Sequence, residues 1–207
     1  MANGKAQYMT TITSNRYESE LEMAQVAAQG DQNAKRDLVG LVLDQVRRTM
    51  SYLSGSERDA EDLAQMAMIQ ILNSAGSFRG ECTLKYWAER IAVRTAMKHF
   101  RKRQRREKLT ISWFSGAPEH SDIDIEHDAA RGEARIRIAE HLQKLSFDRR
   151  TAIVLRHVQG YGVAEIANLT GAPINTVRDR LRVGRAQLKK RILNDPSLGE
   201  WVGLGPK

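Results

Sequence analysis

The chain of 207 residues contains a single cysteine, Cys82, and aromatic residues make up only 6% of it. One thiol forms no internal disulfide, and with so few partners it builds no thiolate zinc site. No apolar run approaches the ~18 residues a membrane-spanning helix needs. The opening stretch MANGKAQYMTTITSN lacks the apolar segment of a signal peptide. Neither the phosphate-cradling GxxxxGK[ST] nor the zinc-binding HExxH occurs. There is no convincing apolar–polar alternation of the kind strands show, and no internal repeat. These absences lead to the expectation of a cytoplasmic all-helical protein with no cofactor, no metal and no direct membrane insertion.

What the chain has in excess is positive charge: 33 Lys+Arg against 25 Asp+Glu, net +8, with 41% apolar residues to build a core. Net charge alone suits nucleic acid, acidic lipid or an acidic protein equally, so its placement is more informative. Residues 85–108 carry ten Lys/Arg and two acids, and residues 174–191 carry seven Lys/Arg and one acid. Between them, residues 109–131 hold five acids (Glu119, Asp122, Asp124, Glu126, Asp128) and one base, Arg131. Two basic islands separated by an acidic segment containing Ser, Gly and Pro read as two small helical domains joined by a flexible acidic linker. The expected boundaries are a tail at 1–17, a first domain at 18–108, the linker at 109–131, a second domain at 132–194 and a tail at 195–207.

Helical periodicity runs through both domains. The spacing predicts helices over 18–29, from the N-cap Asp31 to about Leu53, from about Arg58 to 73–76, and from Leu84 into RKRQRR at 101–106. In the second domain it predicts helices near 132–144, 148–158 and 162–169, and a long one at 174–192. The segment VAEIANLTGAPINTVRDRL has the form of a helix-turn-helix. Ala167 is small where two helices meet, Gly171 can adopt the left-handed backbone of the turn, and Pro173 is tolerated at a helix start. Val177 and Leu181, four apart, point inward together. The outward face is read as Asn175, Thr176, Arg178, Asp179, Arg180, Arg182 and Arg185, suited to phosphates and base edges of a duplex major groove.

The first domain carries two further faces. In RDAEDLAQMAMIQIL, Ala60, Leu63, Ala67 and Ile71 form a core stripe, while Asp62, Gln65, Ile69 and Leu72 form a second, mixed face. A docked partner or a larger bundle would each account for that second face. In LKYWAERIAVRTAMKHFRK, one side is lined by Leu84, Trp87, Ala88, Ile91, Ala92 and Thr95. Arg90, Arg94, Lys98 and Arg101 make a positive stripe over about three turns. Like charges four apart repel, which a polyanion would offset. Tyr86 and Trp87 lie beside the stripe, where unpaired bases stack on aromatics; a Trp on the apolar side is more often core.

Taken together, AAQGDQNA (27–34), DAEDLAQ (59–65), Phe78, YWAERIAVR (86–94) and RTAIVLRHVQGYGVAEIANLTGAPINTVRDRL (150–181) resemble a bacterial RNA polymerase sigma factor of the extracytoplasmic-function, group IV type. The resemblance spans about residues 21–192. It implies a region 2 bundle followed by a region 4 helix-turn-helix, and a non-catalytic subunit that directs promoter-specific initiation. By this resemblance, Asp59, Asp62, Gln65, Met66 and Ile69 would meet the clamp helices of the polymerase β′ subunit. Phe78, Arg79, Tyr86, Trp87, Arg90, Arg94, Lys98 and Arg101, with the loop 78–83, would take the −10 element, first as duplex and then as melted single strand. The outward residues of the helix-turn-helix would read the −35 element, and the acidic linker would thread toward the RNA exit path. An anti-sigma factor is an implied partner, and nucleoid association when active an implied location. Departures from the family pattern are Arg94 for a common Asn, Lys98 for Asp, Asn175 for Gly, Asp179 for Ser, and Val183–Gly184 for Arg-Ala; they bear on promoter sequence. The alternative is a helix-turn-helix regulator that binds duplex DNA without being a polymerase subunit. A nucleic-acid enzyme built on Glu119, His120, Asp124, Glu126 and His127 would lack rigid support in a linker.

Overall fold

A computed structural model describes residues 19–110 and 129–199. Nine α-helices make up these residues, and no strand occurs among them. The first domain contains α1 (Glu20–Ala28), α2 (Gln32–Leu53), α3 (Glu57–Ser74), a 3-10 turn (Ala75–Ser77) and α4 (Leu84–Thr110). The second contains α5 (Ala129–Gln143), α6 (Phe147–His157), α7 (Val163–Thr170), α8 (Ile174–Leu193) and the short α9 (Pro196–Gly199).

Side-chain caps set the helix starts. Ser19 accepts from the Glu22 amide at 3.1 Å, Asp31 from Ala34 at 2.7 Å, and Ser56 from Asp59 at 3.1 Å. The N-terminus of α4 is held from two sides: Thr83 Oγ1 accepts from the Tyr86 amide, and the Glu20 carboxylate of α1 accepts from the Leu84 amide at 2.6 Å. Both α4 and α5 extend into the segment expected to be linker, to Thr110 and from Ala129. The central acidic residues of that segment lie outside the described residues.

The first core is built by α1–α4 around Leu38, Val42, Val46, Met50, Leu63, Ala67, Ile71, Leu84, Ala88, Ala92 and Ala96. The second is built by α6–α8 around Ile153, Val154, Leu155, Ile166, Leu169, Val177 and Leu181. Gly184 lets α8 lie against α6; a Cβ there would stand 3.1 Å from Ile153 Cγ1. The two cores merge into one continuous apolar cluster. Helices α2 and α4 of the first domain pack on α6 and α7 of the second, and Phe100 stacks on Phe147 with ring centroids 4.1 Å apart. No periodicity announces this contact, because both surfaces are mixed in polarity.

Candidate protein and nucleic-acid interfaces

The outward face of α3 is apolar at its centre and acidic at its start. Met66 and Ile69 are 42% and 56% exposed, unusual for large apolar side chains, with exposed Asp62 and Gln65 on the same side. Asp59 lies at the edge of this face and is tied to Arg103 of α4 at 3.3 Å. The bundle buries Ala60, Leu63, Ala67 and Ile71 but leaves the second face free. Leu72 of that face is only half-buried and packs against the core.

On α4 the sequence-predicted set divides. Phe78 and Trp87 are buried and pack on each other, ring centroids 5.5 Å apart and planes tilted by 59°. Arg79, Lys98 and Arg101 are exposed and Arg90 is half-buried. Arg94 reaches the end of α7, donating to the carbonyls of Asn168 at 3.1 Å and Leu169 at 3.4 Å. Tyr86 meets Tyr161 edge-on, and its hydroxyl donates to the Glu165 carbonyl at 3.4 Å. Burial, and secondarily the Glu165 carboxylate, push the Tyr86 phenol above its ordinary pKa.

In the helix-turn-helix, Gly171 ends α7 at φ +67° and the Ala172 amide donates back to the Ala167 carbonyl. This turn presents Asn175, Thr176, Arg178, Asp179, Arg182 and Arg185 to solvent. Asn175 accepts from Arg178 at 3.0 Å and Asp179 from Arg182 at 2.7 Å. Arg180 departs from the outward face: half-buried, it turns back to Asp148 of α6 at 2.5 Å. Periodicity over-reached here, since residue 180 lies at the flank of the helix where a long side chain can fold toward either side. Ile174, 44% exposed at the first position of α8, belongs to the same surface. An apolar residue among polar ones was its sequence signal.

A set the sequence did not single out lies between the domains. Glu89 is fully buried, accepting from Thr49 Oγ1 at 2.6 Å and Gln45 Nε2 at 3.0 Å. Gln45 also donates to the Tyr161 hydroxyl at 2.9 Å, and Gln159 donates to Thr49 at 2.6 Å. Desolvation pushes the Glu89 carboxyl up to about 7, although both hydrogen bonds pull it down. Beside this cluster, Arg150 donates to the last α2 carbonyl, Leu53, at 2.6 Å, and Gln143 donates to the carbonyls of Tyr52 and Ser54. Burial lowers the Arg150 guanidinium to about 10. A carboxylate at position 89, amid the apolar residues of α4, was the available hint.

Among the described residues no group of three or more His, Cys, Asp or Glu could hold a metal ion, and no helix is long and apolar enough to cross a membrane. Glu119, His120, Asp124, Glu126 and His127 lie outside the described residues.

A helical bundle with one apolar–acidic face and one basic helix, followed by a basic helix-turn-helix, defines the class: a two-domain helical protein with basic surfaces suited to nucleic acid. Residues 38–106 match the Sigma-70 region 2 family and residues 135–188 the Sigma-70 region 4 family. The chain is 31% identical to the ECF RNA polymerase sigma factor SigM of Mycobacterium tuberculosis, over 84% of each chain. It is 28% identical to the RNA polymerase sigma-H factor of Pseudomonas aeruginosa, over 84% of this chain and 94% of that one. Its fold is also that of the sigma factor RpoE of Bartonella quintana, solved with the anti-sigma factor NepR (TM-score 0.62, 24% identity, 77% of this chain and 97% of that chain). CnrH, solved with the cytosolic domain of CnrY, is alike too (TM-score 0.60, 23% identity, 85% and 98%). The chain belongs to the extracytoplasmic-function sigma factors, non-catalytic subunits that direct promoter-specific initiation by RNA polymerase.

Proposed function

We propose that this sigma factor divides its work among the three surfaces. The α3 face, with Asp62, Gln65, Met66 and Ile69 and with Asp59 at its edge, docks on the clamp helices of the β′ subunit. Apolar burial supplies affinity and the carboxylates supply orientation. Helix α4 and the segment 78–83 take the −10 element: Arg79, Arg90, Arg94, Lys98 and Arg101 track the phosphates, and Tyr86 offers a stacking edge for an unpaired base. Phe78 and Trp87 act beneath this surface, and local rearrangement would be needed for either ring to meet a base. The α7–α8 unit reads the −35 duplex through Asn175, Thr176, Arg178, Asp179, Arg182 and Arg185, while Arg180 braces the helix on α6. Strand opening is driven by binding energy, and the chain itself makes no covalent bond.

The observation that carries this reading is the exposed Met66–Ile69 pair on a helix whose opposite side already fills the core. A duplex-binding regulator gains nothing from it, whereas a polymerase subunit needs such a surface. RpoE of Bartonella quintana was solved in complex with the anti-sigma factor NepR, and CnrH with the cytosolic domain of CnrY. We extend that kind of partner to this chain, covering the α3 face, with the factor acting in the cytoplasm and at the nucleoid when released. In vitro transcription with core polymerase on a promoter library tests the whole proposal. The expected result is initiation from a defined promoter subset that core alone does not use. A chain that neither co-migrates with core nor directs initiation would overturn it.

A further inference from the structure

Residues 174–191 hold seven Lys/Arg and a single acid, Asp179. Its place on α8 is the one where a carboxylate has most consequence near DNA. At about 100° per residue, Asp179 stands almost opposite the buried stripe of Val177, Leu181 and Gly184 that packs the helix on α6 and α7. Asn175 and Arg182, at i−4 and i+3, share that crest. Arg178 and Arg185 lie along one flank, and Arg180 turns back to Asp148 on the other. A helix laid in a major groove brings its crest to the base edges and its flanks to the phosphates. Asp179 therefore meets bases.

The side chain is already oriented. Exposed at the surface, it accepts through Oδ1 from Arg182 Nη2 at 2.7 Å. That bond offsets repulsion between the carboxylate and the phosphates, and it leaves Oδ2, since an ionised carboxylate accepts at both oxygens. Asn175 and Arg178 form a second pair at 3.0 Å, but a neutral amide both donates and accepts and so tolerates more than one base edge. A carboxylate only accepts. Guanine presents N7 and O6 and thymine presents O4, acceptors that repel it. Adenine sets its N6 donor beside the N7 acceptor, whereas cytosine offers the N4 amine with no acceptor beside it on the same base. Arg182, with one N–H tied to Asp179, presents its remaining donors from a fixed position one turn along the crest. Bidentate contact with guanine O6 and N7 requires such a fork.

We propose that Asp179 and Arg182 act as one reading unit on α8: Asp179 selects a cytosine by accepting from its N4 amine, and holds Arg182 for a guanine at a neighbouring base pair. This rests on the assignment of α8 to the −35 duplex and names the bases that the helix chooses. By the same chemistry Asp179 excludes guanine and thymine at its own position, so selectivity comes from repulsion as well as from contact.

The test uses the full chain in two arms. One is initiation with core polymerase from a promoter whose −35 segment is randomised; the other is binding of the chain alone to a duplex pool randomised over the same segment. Sequencing of transcribed and bound templates gives the base preference at each position for the wild type, Asp179→Ala, Asp179→Asn and Arg182→Ala. The wild type is expected to favour cytosine at one position about tenfold or more, beside a preferred guanine. Asp179→Ala should flatten the cytosine preference and weaken the guanine preference. Asp179→Asn should move the first preference toward adenine, which an amide pairs through N6 and N7. Arg182→Ala should remove the guanine preference and keep the cytosine. Circular dichroism verifies folding, and the isosteric Asp179→Asn carries the test if truncation to Ala perturbs the helix. A uniform rise in affinity across all sequences on removing the acid would overturn the proposal, marking Asp179 as a charge that only tempers Arg182. A wild-type motif whose Asp179-dependent position is not cytosine would overturn it as well. Failed initiation with the expected motif in the duplex arm would count against the functional proposal and leave the reading unit supported. A motif in neither arm would overturn the reading unit together with the −35 assignment.

Discussion

Asp62 illustrates how a single side chain separates the surfaces. It is exposed and far in sequence from the helix-turn-helix, so Asp62→Arg is expected to weaken core-polymerase binding about tenfold or more if the pair is buried on docking. Duplex binding by the same chain should not fall, and equal loss of both would contradict the division of work. Arg178 is the complementary case on α8. Its replacement by Ala is expected to cost on the order of 1–3 kcal/mol at a specific −35 site if it reaches a base edge. A uniform loss across sequences, with a shallower salt dependence, would mark it as a phosphate contact instead. Glu89 predicts a pH effect. Its carboxyl is raised from 4.5 to about 7 in the fold, so the native state holds a proton that the unfolded chain releases. The stabilisation is fully present below about pH 4.5 and is lost as pH rises through about 7. Between pH 5 and 8 this contribution should fall by roughly 2–3 kcal/mol. Glu89→Gln should flatten that part of the profile in denaturant titrations at the two pH values.

At the scale of elements, the ends of the helices were legible where a cap or turn residue states them. Asp31 starts α2 as its carboxylate position suggests, and Gly171 stands in the left-handed turn between α7 and α8. Gly171→Ala is expected to destabilise the chain by about 1–2 kcal/mol, since φ +67° strains an L side chain. A thermal melt compared with substitution at an exposed helical site would register it. The long α4 was less legible: its basic C-terminal end has no breaker before Thr110, and a composition-based linker boundary fell inside it. Gly184 shows the converse. Mid-helix glycine costs helix propensity, yet here it permits α8 to approach Ile153.

For the molecule as a whole, the packing of one domain on the other makes their stabilities interdependent. Phe100 on α4 and Phe147 on α6 stack across the boundary, and Arg150 satisfies a carbonyl at the end of α2. The chain is therefore expected to melt in one calorimetric transition. Phe100→Ala should separate it into two, because the lost contact belongs to neither core alone. A single unbroken transition in the variant would show that other contacts suffice to couple the domains. Connectivity does not forbid their separation: the eighteen residues 111–128 span at most about 60 Å when fully extended.

The sequence by itself determined the all-helical class, the helix-turn-helix and the family. Those follow from helical spacing, turn residues and motif order, all local along the chain. The partition of α3 into a buried and a free face was only half determined, since periodicity shows two faces without saying how many neighbours surround them. Tertiary structure alone decided that Arg180 braces α6, that Arg94 and Tyr86 meet α7, and that Glu89 is buried in a polar network with Thr49 and Gln45. Each of those outcomes depends on which surfaces are brought together by residues more than thirty positions apart, and hydrogen-bond geometry between such surfaces leaves no period in the sequence.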